Sequence, residues 1–216
     1  QPPPGRGCER VTRRLRPRSY TPGMRLPAAK RRLQLLAVAL DVFAERGFYS
    51  TSMNDVADAA GVTKPVLYQH FGSKRELFVE LLGEIGAGLS EVIGKATVDA
   101  PSPRQQLEAG FDAYFGWVND NRGAFNLLFS AGTQRDPDFL AAAHQVEDAI
   151  ADVVANNIVI SGLTRERRGL LAHGIVGMAE ATCRRWMADP GTIDHAELAA
   201  QLGELAWFGL RGIRTA

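Results

Sequence analysis

An all-α protein of about nine helices is the fold class that this sequence predicts, and three observations lead to it. Apolar residues recur at helical spacing through most of the chain, without the period-2 alternation of strands and without an internal repeat. Short breaks marked by Gly, Pro and capping side chains separate the runs. Residues 51–78, TSMNDVADAAGVTKPVLYQHFGSKRELF, read as a short helix, a glycine turn, a second short helix and the capped start of a third. That order is a helix-turn-helix, a device that seats one helix in the major groove of DNA. The expected organisation is an Arg-rich flexible arm over residues 1–26, a three-helix DNA-binding domain over 27–74, and a larger helical domain over 75–216.

Residues 1–25 carry seven Arg and one Glu among scattered Pro and Gly. Such a segment reads either as a leader or as an arm that adds sequence-blind affinity along a DNA backbone. A helix begins at Pro27, with Leu33, Leu36, Leu40 and Phe43 on one face. Lys30, Arg31 and Arg32 crowd its positive end, where the dipole disfavours them, and a nearby DNA backbone would account for them.

Ser52-Met53-Asn54-Asp55 has the spacing of a capping box, and Met53, Val56, Ala57 and Ala60 then mark one buried face. Gly61 ends that helix. Thr63 is expected to cap the next one, with Pro65 in its first turn, where a missing N–H costs nothing. Leu67 and Phe71, four apart, turn inward and leave Lys64, Val66, Tyr68, Gln69 and His70 outward. Gly72 closes that helix, and Ser73-Lys74-Arg75-Glu76 is a second capping box, whose helix N-terminus with Lys74 offers a seat for a phosphate.

The helix opened by Ser73 runs through Leu77, Phe78, Leu81, Leu82, Ile85, Leu89 and Ile93, long enough to pass from one domain into the next. Gly83, Gly86, Gly88 and Gly94 weaken it, by up to about 1 kcal/mol each. After a break at Ala100–Pro103, further helices are expected from Ser102 to about Val118, Arg122 to Phe129, Asp136 to about Ile160, Thr164 to Ala188, and Ile193 to Gly212.

Composition narrows the function. The 216 residues are 45% hydrophobic and 23% charged, and no apolar run approaches the roughly 18 residues of a membrane span. With no apolar leader, a soluble cytoplasmic protein is expected. The net charge of +1 hides an asymmetry: residues 1–80 hold 14 Lys/Arg against 7 Asp/Glu, and residues 81–216 hold 11 against 17. The polyanion partner thus belongs at one end. Cys8 and Cys183 make no disulfide framework, and Cys183 reads as a small buried hydrophobe. His144, His173 and His195 lack metal-ligand spacing, and no nucleophile elbow, P-loop or dinucleotide fingerprint occurs. No catalytic residue, metal or cofactor is therefore expected.

Together, Gly61-Val62-Thr63, Leu67-Tyr68-x-His70-Phe71, Ser73-Lys74 and Leu77-Phe78, with Glu45-Arg46-Gly47-Phe48 ahead of them, resemble the TetR (tetracycline-repressor) family of bacterial transcriptional regulators. The specific resemblance covers roughly residues 28–82. It implies that Thr51, Ser52, Tyr68, His70 and Lys74 touch DNA phosphates, to which Thr63 at the head of the second short helix is added. Base edges fall to Lys64, Pro65 and Val66, with Gln69 and Asn54 as further readers. Where many members have Arg, this chain has Asn54, which can read adenine but cannot fork onto guanine.

The resemblance also implies a C-terminal domain that binds a small molecule, and a homodimer built by the last two helices. Phe111, Phe115, Trp117, Phe125, Phe129, Met178 and Trp186 are the expected lining of an effector pocket, though each also reads as plain core. Gly169, His173, Gly177 and Ala181 recur every four residues. With Leu198, Leu202 and Leu205 they are expected at the dimer interface, the alternative being packing within one chain. The reading is a ligand-responsive regulator, a repressor that binds a palindromic DNA operator as a homodimer and is released by an apolar or aromatic effector. Its competitor is a constitutive or architectural DNA binder without an effector.

Overall fold

The computed structural model describes residues 27–189, 191 and 193–213. The Arg-rich arm and Cys8 lie outside them. Among the described residues every regular element is a helix: α1 Ala28–Arg46, α2 Met53–Ala59, α3 Lys64–His70, α4 Lys74–Val98, α5 Pro103–Asp120, α6 Arg122–Phe129, α7 Ala131–Arg135, α8 Pro137–Asn157, α9 Arg165–Ala188 and α10 His195–Arg211. The nine expected helices are present, and α7 is the addition. It is five residues long, too short for an apolar period, and side-chain bonds hold it: Ser130 Oγ accepts from the Thr133 N–H at 3.1 Å, and Thr133 Oγ1 donates to the Leu127 carbonyl at 2.6 Å. The helix expected to reach Ile160 stops at Asn157, where the Ile158 N–H turns back to the Ala155 carbonyl.

The helices form two compact units. The first takes the described residues through Ile85 with Asp120–Ala143; the second takes Gly86–Asn119 and the described residues from His144 onward. Helices α4 and α8 each contribute to both.

In the first unit, α1 buries Leu35, Leu36, Ala39, Leu40 and Phe43, and α4 answers with Leu77, Phe78, Leu81, Leu82 and Ile85. Leu33, expected on the inward face, is 37% exposed, because the buried stripe centres on Leu36, Ala39 and Phe43 and Leu33 falls at its edge. Phe48 and Phe139 lie 4.9 and 4.7 Å from the Phe78 ring and 4.7 Å from each other, a cluster at the spacing aromatic rings favour. Gly47, at φ +76°, turns the chain out of α1 and into this cluster.

In the second unit, α5 supplies Phe111, Tyr114, Phe115 and Val118 to a core completed by Ile150, Val176, Cys183 and Leu202. Close helix approach decides one position: a Cβ on Gly86 of α4 would overlap the Val146 side chain of α8. Side-chain caps set the helix starts, with Thr164 accepting from the Arg167 N–H and Asp194 from the Glu197 N–H at 2.8 Å. Trp186, buried in α9, donates its indole N–H to the Ile193 carbonyl at 2.9 Å.

Candidate DNA-reading face and ligand cavity

The helix-turn-helix is built from local bonds. Ser52 Oγ accepts from the Asp55 N–H at 3.2 Å, and the Asp55 carboxylate accepts from the Ser52 N–H at 2.7 Å, closing the capping box. The Ser52 hydroxyl also donates to Asp55, and these bonds, aided by Arg46, hold the Asp55 carboxyl below its ordinary range. At φ +63° Gly61 makes the turn, and the Val62 N–H reaches the Ala57 carbonyl at 3.0 Å. Thr63 stands at the N-cap of α3, but its side chain makes no capping bond. The capping expectation fails there: the side chain stays exposed, and only the Thr63 carbonyl engages the helix, accepting from the Val66 and Leu67 N–H groups at 3.0 and 3.2 Å.

On α3, Leu67 and Phe71 are fully buried and anchor the helix to the core. Lys64, Pro65 and Gln69 are exposed, Tyr68 is 43% exposed, and Val66 and His70 are half-buried. Lys64 with Tyr68, and Pro65 with Gln69, are i,i+4 neighbours and form one outward strip. The Lys64 ammonium lies 5.9 Å from the Tyr68 ring centre. Asn54 of α2 is exposed, as is Ser52 at its cap.

Three expected DNA contacts are tied into the protein instead. Thr51 is 2% exposed and turns its hydroxyl inward, donating to the Gly47 carbonyl at 2.8 Å. Lys74 Nζ donates to the Phe48 carbonyl at 2.8 Å and the Thr51 carbonyl at 2.7 Å while lying 4.3 Å from the Phe48 ring centre. Two of its three N–H bonds thus pin the loop ahead of α2, leaving one for any phosphate. Arg32 does not wait for DNA at the start of α1: its guanidinium spans Glu80 and the His70 carbonyl and stacks 4.3 Å from the Phe71 ring centre. It clamps the end of α3 against α4, which is why a cation is tolerated there.

Arg75 makes a further clamp within this unit. Its guanidinium donates to both oxygens of Asp136, at 2.8 and 2.6 Å, and to Asp138. Each side holds the other charged: the pair lowers the pKa of Asp136 and raises that of Arg75.

The second unit contains a cavity of about 280 Å³. Its wall is mainly aliphatic: Ile93 of α4, Ile150 and Val154 of α8, Ile175 and Val176 of α9, and the Ile158–Ile160 segment. Phe111, Tyr114 and Trp207 are its aromatic members. Of the seven residues expected around an effector, only Phe111 lines it. Phe115, Trp117, Met178 and Trp186 pack elsewhere in this unit, and Phe125 and Phe129 belong to the other. The sequence carried no signal for the wall, because the aliphatic residues come from five helices and look like ordinary core stripes along each. Tyr114 is 5% exposed, and burial pushes its phenol well above the ordinary value, with Cys183 and Glu180 adding to the rise.

On α9 and α10 the expected interface residues divide. His173, Gly177 and Ala181 are exposed, Gly169 is half-buried and Leu205 is 63% exposed. Leu198 and Leu202 are buried inside their own unit, because the buried stripe of α10 centres on Ala199, Leu202 and Ala206, with Leu205 just past its edge and Phe208 well outside it. Leu170 and Phe208, at 70% and 64% exposure, extend the outward apolar face. Both ring nitrogens of His173 are engaged at 2.9 Å, Nδ1 with the Gly169 carbonyl and Nε2 with Asp148, and the Asp148 carboxylate raises the imidazole pKa. No helix among the described residues is long and apolar enough to cross a membrane.

Comparison with known proteins agrees with this architecture. The family model for bacterial regulatory proteins of the tetR family matches residues 35–81, and that for the tetracyclin repressor-like C-terminal domain matches residues 103–209. The HTH-type transcriptional activator FasR of Mycolicibacterium smegmatis is 33% identical over 192 residues, covering 87% of this chain and 86% of that protein. The HTH-type transcriptional repressor KstR2 of Rhodococcus jostii is 48% identical over 151 residues, covering 67% and 65%. A TetR-like transcriptional regulator from Rhodococcus sp. RHA1 superposes with a TM-score of 0.69 at 34% identity, covering 88% of this chain and 100% of that one. FadR of Bacillus subtilis, solved in complex with stearoyl-CoA, shares the fold at a TM-score of 0.72 and 17% identity, covering 84% and 99%. This chain belongs to the TetR family of bacterial transcriptional regulators.

Proposed function

We propose that this regulator binds a near-palindromic operator as a homodimer and is released when an aliphatic small molecule fills the cavity. In this reading residues 27–74 contact DNA, and residues 75–216 sense the ligand and dimerise. Lys64, Pro65, Val66 and Gln69, with Asn54, meet base edges, while Ser52, Thr63, Tyr68 and His70 meet phosphates. Lys74 adds its remaining N–H, and Thr51 acts by shaping the loop. The exposed face of Leu170, Gly177, Leu205 and Phe208 supports pairing of α9 and α10 with their copies. Such a dimer brings two recognition helices to successive major grooves roughly 34–36 Å apart.

The observation that carries ligand control is the cavity wall. Ile93 of α4 and Ile150 of α8 line it, and these two helices also contribute to the unit that holds the helix-turn-helix. A ligand that fits one arrangement of these helices better than another shifts DNA affinity by that difference. Of the apolar and aromatic effectors expected, the aliphatic wall supports an acyl chain, and the stearoyl-CoA held by FadR on the same fold agrees with it. Release by ligand is repressor logic. The named relatives include both an activator and repressors, so the sign of regulation is read from a reporter driven by the recovered operator.

The test is selection of bound duplexes from a random library at near-physiological salt, followed by titration of the recovered complex with fatty acids and their coenzyme A thioesters. An enriched palindrome, bound by two chains and released by one of these ligands, is the expected result. Enrichment without release by any of them would return the constitutive binder, and retention without enrichment would remove the sequence-specific reading.

A further inference from the structure

We infer that Arg211 receives the head group of the ligand, so that the cavity selects an aliphatic chain carrying an anionic head; this rests on the cavity reading above. The lining contains no Asp or Glu and one cation, Arg211. That cation stands exposed in the last turn of α10, with its guanidinium 5.8 Å from the ring centre of Trp207, which lines the same cavity. It makes no ion pair among the described residues, whereas Arg32, Arg75, Arg104 and Arg184 are each paired.

A cation in this turn also meets the negative end of the helix dipole, but that role asks for no ligand. The rest of the lining does. Gln106 and Asn157 bring amides to a wall that is otherwise almost wholly apolar. A buried chain whose head is charged needs donors where it ends, since an unpaired anion is expelled from an apolar site. A guanidinium offers a planar fork to a carboxylate or phosphate, while a fatty alcohol gains little from it.

The experiment is calorimetric titration of the full chain with dodecanoate, dodecan-1-ol and dodecanoyl-coenzyme A, repeated for Arg211→Gln and Arg211→Lys. The wild type is expected to prefer an anionic ligand over the alcohol by about tenfold or more, the scale of one charge-assisted hydrogen bond. That preference disappears in Arg211→Gln, persists in Arg211→Lys, and weakens with salt. Tighter binding of the thioester than of the free acid assigns the phosphates to Arg211, and the reverse order assigns the carboxylate. A wild type that binds neither the acid nor the thioester more tightly than the alcohol overturns the inference, as does an equal loss of all three ligands in Arg211→Gln, and either leaves the cavity reading standing. If none of the three ligands binds the wild type, the cavity reading falls and takes this inference with it.

Discussion

The DNA-reading face and the cavity are assembled by opposite means. The helix-turn-helix is a run of bonds between near neighbours in sequence, such as the reciprocal Ser52–Asp55 cap and the Gly61 turn. Cations distant in sequence from their partners then fasten it, Lys74 to the Phe48 and Thr51 carbonyls and Arg32 to the His70 carbonyl. The cavity has no such polar scaffold. Helices converge on it from separated stretches of chain, and its volume is what remains after their side chains pack. One region is specified by hydrogen-bond geometry, the other by shape.

Lys74 offers the largest test of this contrast. Lys74→Met keeps the stem and removes two charge-assisted bonds, and should cost about 2–3 kcal/mol of stability by chemical denaturation. Unchanged stability with weakened operator binding would make Lys74 a phosphate ligand and nothing more. In the second unit, Gly86→Ala should cost about 1–3 kcal/mol, because the added methyl overlaps Val146. Gly83→Ala, with open space at its Cβ, should instead be neutral or gain up to about 1 kcal/mol from helix propensity. If the two substitutions behave alike, close approach of α4 and α8 is not what holds Gly86.

Removing one local bond is milder. Ser52→Ala deletes the hydroxyl half of a capping box, for an expected loss of about 1 kcal/mol and a matching drop in denaturation midpoint. The smallest effect is pH-dependent. Asp148 raises the His173 pKa above the ordinary imidazole value of about 6.5, so the tie between α8 and α9 is complete below that pH and is lost as pH climbs through the higher folded value. Thermal stability should therefore decline across that window in the wild type, and His173→Gln should flatten the decline. Parallel profiles for the two proteins would show that the Asp148 contact contributes nothing measurable.

The same contrast explains what reading the chain reveals. The caps at Ser52 and Ser73, the helix start at Ser102, the turn at Gly61 and the inward pair Leu67 and Phe71 are legible because each depends on groups within four residues of one another. Arg32 was legible as a cation out of place, but its partners Glu80 and His70 lie 48 and 38 residues away. The lining of the cavity was not legible for a related reason. Aromatic residues such as Phe115 and Phe125 are conspicuous in sequence, yet their large apolar surfaces drive them into solid core, which leaves the open space to aliphatic side chains.

The nine expected helices, the helix-turn-helix and its outward strip on α3 were thus determined by the sequence itself, through periodicity and bonds that close within one turn. Which cations are free, where the cavity opens and which leucines of α10 face outward were decided only by tertiary packing. A helical stripe states that a face is apolar. What covers that face depends on side chains tens of residues away competing for the same volume.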